Sequence, residues 1–146
     1  MEWQKNILTT DNAVSQLLRE TNRIAVLGIK PESHASQPAF YVSKYMRDAG
    51  FEIIPVPVYY PDVTEILGQK VYRDLREVPG GIDMVNVFRR DTDIPKHIDE
   101  IIEAEPKSVW VQLGIRNDDA AEQFAKAGIK VVQNLCLMVE HRALGR

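Results

Sequence analysis

Short apolar runs recur along the chain, separated by longer segments in which apolar residues follow helical spacing. The clearest runs cover residues 24–27, 51–56, 82–88, 108–112 and 129–132. Runs of this length that are rich in valine and isoleucine are typical of strands buried on both faces of a parallel sheet. A weaker run at residues 69–72 predicts a short edge strand, and residues 74–78 predict a single helical turn after it.

The segments between the apolar runs predict helices that cover the sheet. Asp11 is expected to cap a first helix whose apolar face carries Val14, Leu17 and Leu18. Further helices are expected at residues 38–49, at residues 94–102 and at residues 118–127, and residues 136–143 predict a short helix or an irregular tail. Strands that alternate with helices over residues 1–146 predict one α/β domain, doubly wound and Rossmann-like, with a mostly parallel sheet.

The loop after the first strand has features of a phosphate-binding loop. Gly28 follows the strand directly and permits a tight turn, while Pro38 suits the first position of a helix, with Ser36 or Gln37 near the cap. A strand, a glycine turn and a helix start together offer free N–H groups to a phosphate. The alternative interpretation is that Gly28 is an ordinary turn glycine.

The residues at the carboxyl ends of the predicted strands form a chemically consistent set. Ligands of doubly wound sheets bind outside these ends. The set contains three cations suited to phosphate, neutral polar groups and apolar walls. The candidate binding residues are Gly28, Ile29, Lys30, Pro55, Val56, Pro57, Phe88, Arg89, Arg90, Gln112, Gly114, Asn134 and Cys136. For the arginine pair, the alternative is a solvated pair whose charge is balanced by Asp91 and Asp93.

A nicotinamide dinucleotide is a poor match to this loop. The dinucleotide fingerprint requires two more glycines after Gly28, and residues 29–40 contain none. An acidic residue should also end the second strand and bind the ribose, but that position reads Pro55-Val56-Pro57. We therefore do not expect NAD to bind.

The composition narrows the remaining function classes. The formal net charge of −3 gives no reason to expect binding to nucleic acid or to an anionic membrane. No apolar run approaches the roughly 20 residues that span a bilayer, and the first residues lack a signal-peptide pattern, so we expect a cytoplasmic protein. Cys136 is the single cysteine, and the three histidines are scattered, so neither a disulfide framework nor a metal site is predicted.

Several motifs together resemble those of the small stand-alone CoA-binding proteins. They are residues 24–30, the turn Ile54-Pro55-Val56-Pro57, residues 66–72, 83–90 and 109–117, and Cys136 followed by Glu140-His141. That family is similar to the nucleotide-binding domain of the succinyl-CoA synthetase alpha subunit, and the resemblance covers nearly the whole chain. It implies a Rossmann-like fold with coenzyme A or an acyl-CoA at the candidate residues.

Three positions depart from the pattern of that family. Lys30 replaces a serine in the first loop, Pro57 replaces an asparagine after the second strand, and Asn134-Leu135-Cys136-Leu137 stands where the family has Asp-Arg-Cys-Pro. We expect Lys30 to compensate for the lost polar groups by placing a positive charge beside the pyrophosphate of the ligand.

The sequence predicts no catalytic residue. None of the histidines lies in a glycine-rich phosphohistidine loop, and His141 would not share a helix face with Cys136, so we expect an unreactive thiol. The leading hypothesis is a non-catalytic CoA-binding module that acts as a carrier, a sensor or a partner domain. An oxidoreductase or acyl-transfer enzyme that uses another nucleotide is the first alternative, and an interaction protein with a vestigial pocket is the second. No protein partner can be named.

Overall fold

The computed structural model describes residues 2–144 and contains a five-stranded parallel sheet. The strands are β1 (Arg23–Leu27), β2 (Glu52–Val56), β3 (Glu65–Ile66), β4 (Gln69–Lys70), β5 (Met84–Val87), β6 (Ser108–Gln112) and β7 (Lys130–Leu135). The main sheet has the order β2-β1-β5-β6-β7, and all neighbouring strands in it are parallel. The predicted doubly wound α/β fold is therefore confirmed.

Helices cover both faces of this sheet. They are α1 (Asp11–Arg19), α2 (Pro38–Asp48), α3 (Ile98–Ala104), α4 (Asp118–Lys126) and α5 (Leu137–Arg142). Ile24 and Val26 pack with α1, α2 and α5, whereas Ala25 and Leu27 pack with α3 and α4. Because alternate residues of β1 enter opposite layers, both faces must be apolar, and the strand reads as an uninterrupted apolar run. Within residues 2–144, no helix has the length and apolarity needed to cross a membrane.

Two helix starts differ from the predictions. Thr10 caps α1 and accepts a hydrogen bond from the amide of Ala13 at 3.2 Å, so the prediction that Asp11 is the cap is wrong by one residue. The expected helix over residues 94–102 is a 3₁₀ turn, Ile94–His97, followed by α3. The carboxylate of Asp93 does not cap this turn because it binds Arg90 and Lys96 instead.

The edges of the sheet contain the other differences. The edge strand predicted at residues 69–72 is half of the β3–β4 hairpin, whose turn places Leu67 and Gly68 in the left-handed region. The last strand continues to Leu135, beyond the predicted residues 129–132. Ile7 forms an unpredicted parallel bridge to Val131 and covers part of the β7 edge.

The strand order places a crevice between β1 and β5. The chain passes from β1 to β2 on one side and then returns to β5 on the other side, so the sheet changes direction at this point. The loops that follow β1 and β5 therefore diverge at the carboxyl end of the sheet. In doubly wound folds this topological switch point is the usual ligand position.

Candidate functional site

A cavity of about 300 Å³ lies at this switch point. It is bounded by the loop after β1, the start of α2, the loop after β5 and the end of β6. Its lining residues are Lys30, Gln37, Pro38, Ala39, Phe88, Arg89, Arg90, Gln112, Leu113 and Ile115. The cavity thus brings together five predicted site residues from three different strand ends.

Gly28 lies where the loops after β1 and β5 come closest. Its φ of 89° belongs to the left-handed region, which glycine adopts without steric cost. A Cβ atom at this position would overlap the carbonyl oxygen of Phe88 and lie 3.3 Å from Cδ of Arg89. The absence of a side chain at Gly28 therefore allows the Arg89 side chain to cross the turn at the base of the cavity.

The N-terminus of α2 forms one wall of the cavity. Pro38 is the first helical residue, and the preceding Gln37 has an extended backbone and makes no side-chain cap. The second helical residue, Ala39, has no carbonyl partner for its N–H within an α-helix. This end of the helix carries partial positive charge and suits a phosphate group.

The cations at the cavity outnumber the carboxylate beside them. The Asp93 carboxylate lies 3.0 Å from Arg90 Nε, 3.2 Å from Lys96 Nζ and 3.7 Å from Arg89 Nη2. Hydrogen bonds from Lys96 and then from Arg90 hold the pKa of Asp93 below its ordinary value, so this group is ionised at neutral pH. The one negative charge of Asp93 thus faces three cations, of which Arg89 and Arg90 line the cavity, so a positive excess remains there.

Lys30 adds to that positive excess from the opposite wall. Among residues 2–144, no carboxylate oxygen lies within 4.0 Å of its ammonium group. The alternative interpretation, in which Asp91 and Asp93 balance the arginine pair, holds only in part: Asp93 pairs with both arginines, whereas Asp91 forms no ion pair with either arginine in the described chain. An anionic ligand would meet a net positive surface here.

The two arginines have different surroundings. The side chain of Arg90 is 82% exposed at the rim, whereas that of Arg89 is 22% exposed. Arg89 Nε donates to His97 Nε2 at 3.1 Å, and His97 Nδ1 lies 3.0 Å from Glu100 Oε1. The sequence interpretation missed His97 and Glu100. Their spacing of three residues indicates a shared helix face, but nothing local indicates that His97 reaches the loop after β5.

Gln112 is oriented by two hydrogen bonds beneath the cavity. Its Oε1 atom accepts from Asn86 Nδ2 and from the amide of Leu137, each at 3.4 Å. Because the amide of Leu137 can only donate, it fixes the oxygen of Gln112 on that side, and Nε2 is left for the cavity. Asn86 is 1% exposed, and its Oδ1 atom has no hydrogen-bond partner among the described residues.

The other predicted site residues lie outside the cavity lining. Ile29, Val56 and Pro57 are buried, and the carbonyl of Pro55 accepts a hydrogen bond from the amide of Tyr72. Asn134, in the left-handed region, accepts from the amide of Gly114 at 2.7 Å, and Cys136 is half-buried before α5. A role for these residues in binding stays a prediction.

The rest of the described chain offers less to an anionic ligand. A cavity of about 290 Å³ lies at the opposite end of the sheet, where Asp83 and Lys107 pair with each other. Over residues 2–144, no three histidine, cysteine or acidic side chains cluster closely enough to hold a metal ion. The switch-point cavity combines three cations with the N-terminus of α2, whereas a smaller cavity at the start of α4 has Arg116 beside the carboxylates of Asp118 and Glu122.

Two sequence comparisons identify the family of this chain. Residues 22–142 match the model of a protein family described as a CoA binding domain. YneT of Bacillus subtilis, an uncharacterized protein, is 38% identical over 128 residues, which are 88% of this chain and 91% of YneT. The family match covers every predicted site residue.

Solved structures have the same fold. The Thermus thermophilus protein called cell-free ID.343 is 33% identical, with a TM-score of 0.84 over 93% of this chain and 99% of that chain. A dinucleotide-forming acetyl-coenzyme A synthetase of Ca. Korarchaeum cryptofilum, 21% identical, matches with a TM-score of 0.65 over 80% of this chain and 27% of its own. The latter likeness concerns the fold alone. On the family match and the relatives together, this chain belongs to the CoA binding domain family, as its motifs predict.

Proposed function

We propose that this protein binds coenzyme A or an acyl-CoA at the switch-point cavity and serves as a non-catalytic carrier, sensor or partner module. The observation that carries the proposal is the excess of cations at the N-terminus of α2, in a protein whose overall charge is −3. Family membership supports CoA as the ligand. The cavity supports the position of its phosphates.

The chemistry of CoA fits the walls of this cavity. CoA carries a pyrophosphate and a ribose 3′-phosphate, so it needs two groups of phosphate donors. We assign the pyrophosphate to the start of α2 and Lys30, and the 3′-phosphate to Arg89 and Arg90. Phe88, Leu113 and Ile115 together with the Gln112 amide suit the mixed apolar and amide character of the pantetheine arm.

The non-catalytic role is supported by the side chains that line the cavity. Among the described residues, those of the lining include no carboxylate, histidine or cysteine. Proton transfer to or from a ligand requires a titratable group within hydrogen-bond reach. His97 binds Arg89, Glu100 binds His97, and neither of these two residues lines the cavity.

Calorimetric titration of three variants tests the proposed site. Lys30→Ala, Arg89→Ala and Arg90→Ala should each be titrated with CoA and with dephospho-CoA, which lacks only the 3′-phosphate. A hydrogen bond to a charged group contributes about 1.5–3 kcal/mol, so each loss should weaken CoA by roughly ten- to a hundredfold. Arg47→Ala is the matched control, because Arg47 lies at the other end of α2 and pairs with Asp48.

The two ligands separate the phosphate assignments. Removal of an arginine that contacts the 3′-phosphate should weaken CoA strongly and dephospho-CoA much less. An equal loss of affinity for both ligands would indicate that the arginine contacts the pyrophosphate, which CoA and dephospho-CoA share. Lys30→Ala should show such an equal loss, because we assign Lys30 to the pyrophosphate. Unchanged CoA affinity in all three variants would overturn the proposed site.

A further inference from the structure

Arg89 is the cation whose direction at the cavity is most restricted. Its stem passes over Gly28, where Cδ lies 3.3 Å from the position that a Cβ atom would occupy. On its far side, Nε donates to His97 Nε2 at 3.1 Å. A guanidinium has five N–H donors in a fixed plane, so fixing Nε fixes the plane in which the terminal nitrogens lie.

The partners of His97 determine which ring nitrogen carries the proton. Arg89 Nε can only donate, so Nε2 of His97 must be an unprotonated acceptor. The carboxylate of Glu100 can only accept, so Nδ1 of His97 must carry the proton. The ring is therefore neutral, in the Nδ1–H form, and both of its nitrogens are used.

Glu100 is itself held in place by the backbone. Its Oε2 atom accepts from the amide of Leu75 at 2.8 Å, while Oε1 faces His97 at 3.0 Å. The side chains of His97 and Glu100 are each 13% exposed, so water competes weakly for these hydrogen bonds. A continuous chain of hydrogen bonds thus runs from the backbone at Leu75 to the guanidinium of Arg89.

We propose that His97, held by Glu100, is a positioning residue that fixes the Arg89 guanidinium in its phosphate-binding orientation. This inference rests on the proposed function, because it concerns the cation assigned to a CoA phosphate. His97 acts through Arg89 and does not touch the ligand. When Nδ1 of His97 carries the proton, Nε2 is an uncharged acceptor for the N–H at Arg89 Nε. The terminal nitrogens of Arg89 then remain available to Asp93 and to a ligand in the cavity.

A double-mutant cycle tests the coupling between His97 and Arg89. His97→Ala should weaken CoA by about two- to tenfold, the range expected when one oriented hydrogen bond is lost. The same substitution should have no further effect in an Arg89→Ala background, because the residue that His97 positions is absent. Glu103→Gln is the matched control on α3, since Glu103 is exposed and pairs with Arg76.

Glu100→Gln provides a second variant that keeps the shape of the side chain. A glutamine has one oxygen, and the amide of Leu75 and the proton on His97 Nδ1 compete for it. If the side-chain nitrogen faces His97, the ring must shift its proton to Nε2, which then opposes the N–H of Arg89. We expect CoA affinity to fall as in His97→Ala, and unfolding curves check that the variant is folded.

The tautomer of His97 can be read without any ligand. Long-range ¹H–¹⁵N correlation spectra of the free protein at neutral pH should show His97 with a protonated Nδ1 and an unprotonated Nε2. In Glu100→Gln the pattern should change to the Nε2–H form. A charged ring or an Nε2–H ring in the unmodified protein would overturn the inference, whatever the ligand proves to be.

The outcomes also separate this inference from the proposed function. If CoA fails to bind, the proposed site fails, and the spectra alone decide whether His97 accepts from Arg89. If Arg89→Ala alone binds CoA normally, the phosphate role of Arg89 is wrong and the positioning role of His97 fails with it, while the Lys30 and Arg90 variants decide the site. If Arg89→Ala is weakened while His97→Ala binds like the unmodified protein, the site stands and the positioning role is wrong. An undiminished effect of His97→Ala in the Arg89→Ala background contradicts it as well.

Discussion

At the scale of single residues, Gly28 decides how closely the loops after β1 and β5 approach each other. Its conformation and its surroundings both exclude a side chain, since an added Cβ would overlap the Phe88 carbonyl and press on the Arg89 stem. Gly128 has nearly the same φ, 86° against 89°, but an added Cβ there meets nothing within 4 Å. A comparison of alanine substitutions at these two glycines therefore distinguishes the cost of backbone strain from the cost of steric overlap.

We predict that Gly28→Ala destabilises the protein more than Gly128→Ala. Both variants carry the left-handed strain of about 1–2 kcal/mol, and only Gly28→Ala adds a clash with backbone atoms that cannot move aside freely. Urea unfolding measures the difference in the free energy of unfolding. Gly28→Ala should also weaken CoA, because Arg89 is displaced. Equal destabilisation of the two variants would contradict the close approach of the loops.

Residue types at the cavity were easier to predict than their contacts. Lys30, Phe88, Arg89, Arg90 and Gln112 were identifiable because each follows an apolar run, and the carboxyl ends of parallel strands share one edge. The link from Arg89 to His97 was not identifiable, because it spans eight residues across a loop and a 3₁₀ turn. The regular spacing that predicts which side chains share a face holds only within one helix or strand, so it predicts no contact across such a connection.

At the scale of elements, Asp83 joins the amino ends of three neighbouring strands. Its Oδ2 atom accepts from the amides of Asn22 and Arg23 at 2.9 and 2.8 Å, and Oδ1 lies 3.5 Å from Lys107 Nζ. Burial raises the pKa of this carboxyl, but the backbone hydrogen bonds from Arg23 and Asn22 and the charge of Lys107 lower it below its ordinary value. Asp83 thus fixes the register of β1 against β5 and β6.

We predict that Asp83 stabilises the fold at neutral pH and loses this effect in acid. The pKa of Asp83 is lower in the folded state than in the unfolded state. Its contribution to the free energy of unfolding is therefore complete above the unfolded-state pKa of about 3.9, and it disappears as the pH falls through the folded-state pKa. Asp83→Asn should cost about 1–3 kcal/mol at pH 7 and nearly nothing at low pH. Urea unfolding at several pH values measures the difference.

Asp62→Asn is the control for this series, because Asp62 is exposed and forms no ion pair in the described chain. Its free energy of unfolding should follow that of the unmodified protein at every pH. If Asp83→Asn costs the same at low and neutral pH, the ionised carboxylate is not the source of the stabilisation.

The apolar pattern predicted the elements better than their ends. The strands of the main sheet and four of the five helices followed from it, because burial on both faces demands continuous apolar runs. The split of the third predicted helix, at residues 94–102, depends on Pro95 and on the ion pairs of Asp93, and helical periodicity reports neither. The extension of β7 to Leu135 passes through Gln133 and Asn134, which carry no apolar signal.

At the scale of the whole molecule, the charge distribution matters more than the net charge. The chain is acidic overall, yet three cations surround one carboxylate at the switch point. The local charge at this cavity therefore favours the proposed phosphorylated ligand, although the net charge of the chain disfavours it. The sequence predicted Arg89 and Arg90 at this position, whereas Lys96 and the ion pairs with Asp93 required the structure.

We predict that the protein does not turn over acyl-CoA, because the described cavity lining contains no carboxylate, histidine or cysteine and we assign its cations to phosphate binding. Incubation with acetyl-CoA or succinyl-CoA, with and without ATP and phosphate, should release no more free CoA than buffer alone. A thiol assay measures the release. Protein-dependent release that disappears in Arg89→Ala would favour the acyl-transfer alternative.

The most direct test is calorimetric titration of the unmodified protein with CoA and with NAD(H). The loop after β1 lacks the further glycines of a dinucleotide site. β2 ends at the buried Val56 and is followed by the buried Pro57, so no carboxylate is present there for a ribose. We predict that CoA binds with one site per chain and that NAD(H) binds much more weakly or not at all. NAD(H) binding as tight as that of CoA, or tighter, would contradict the account.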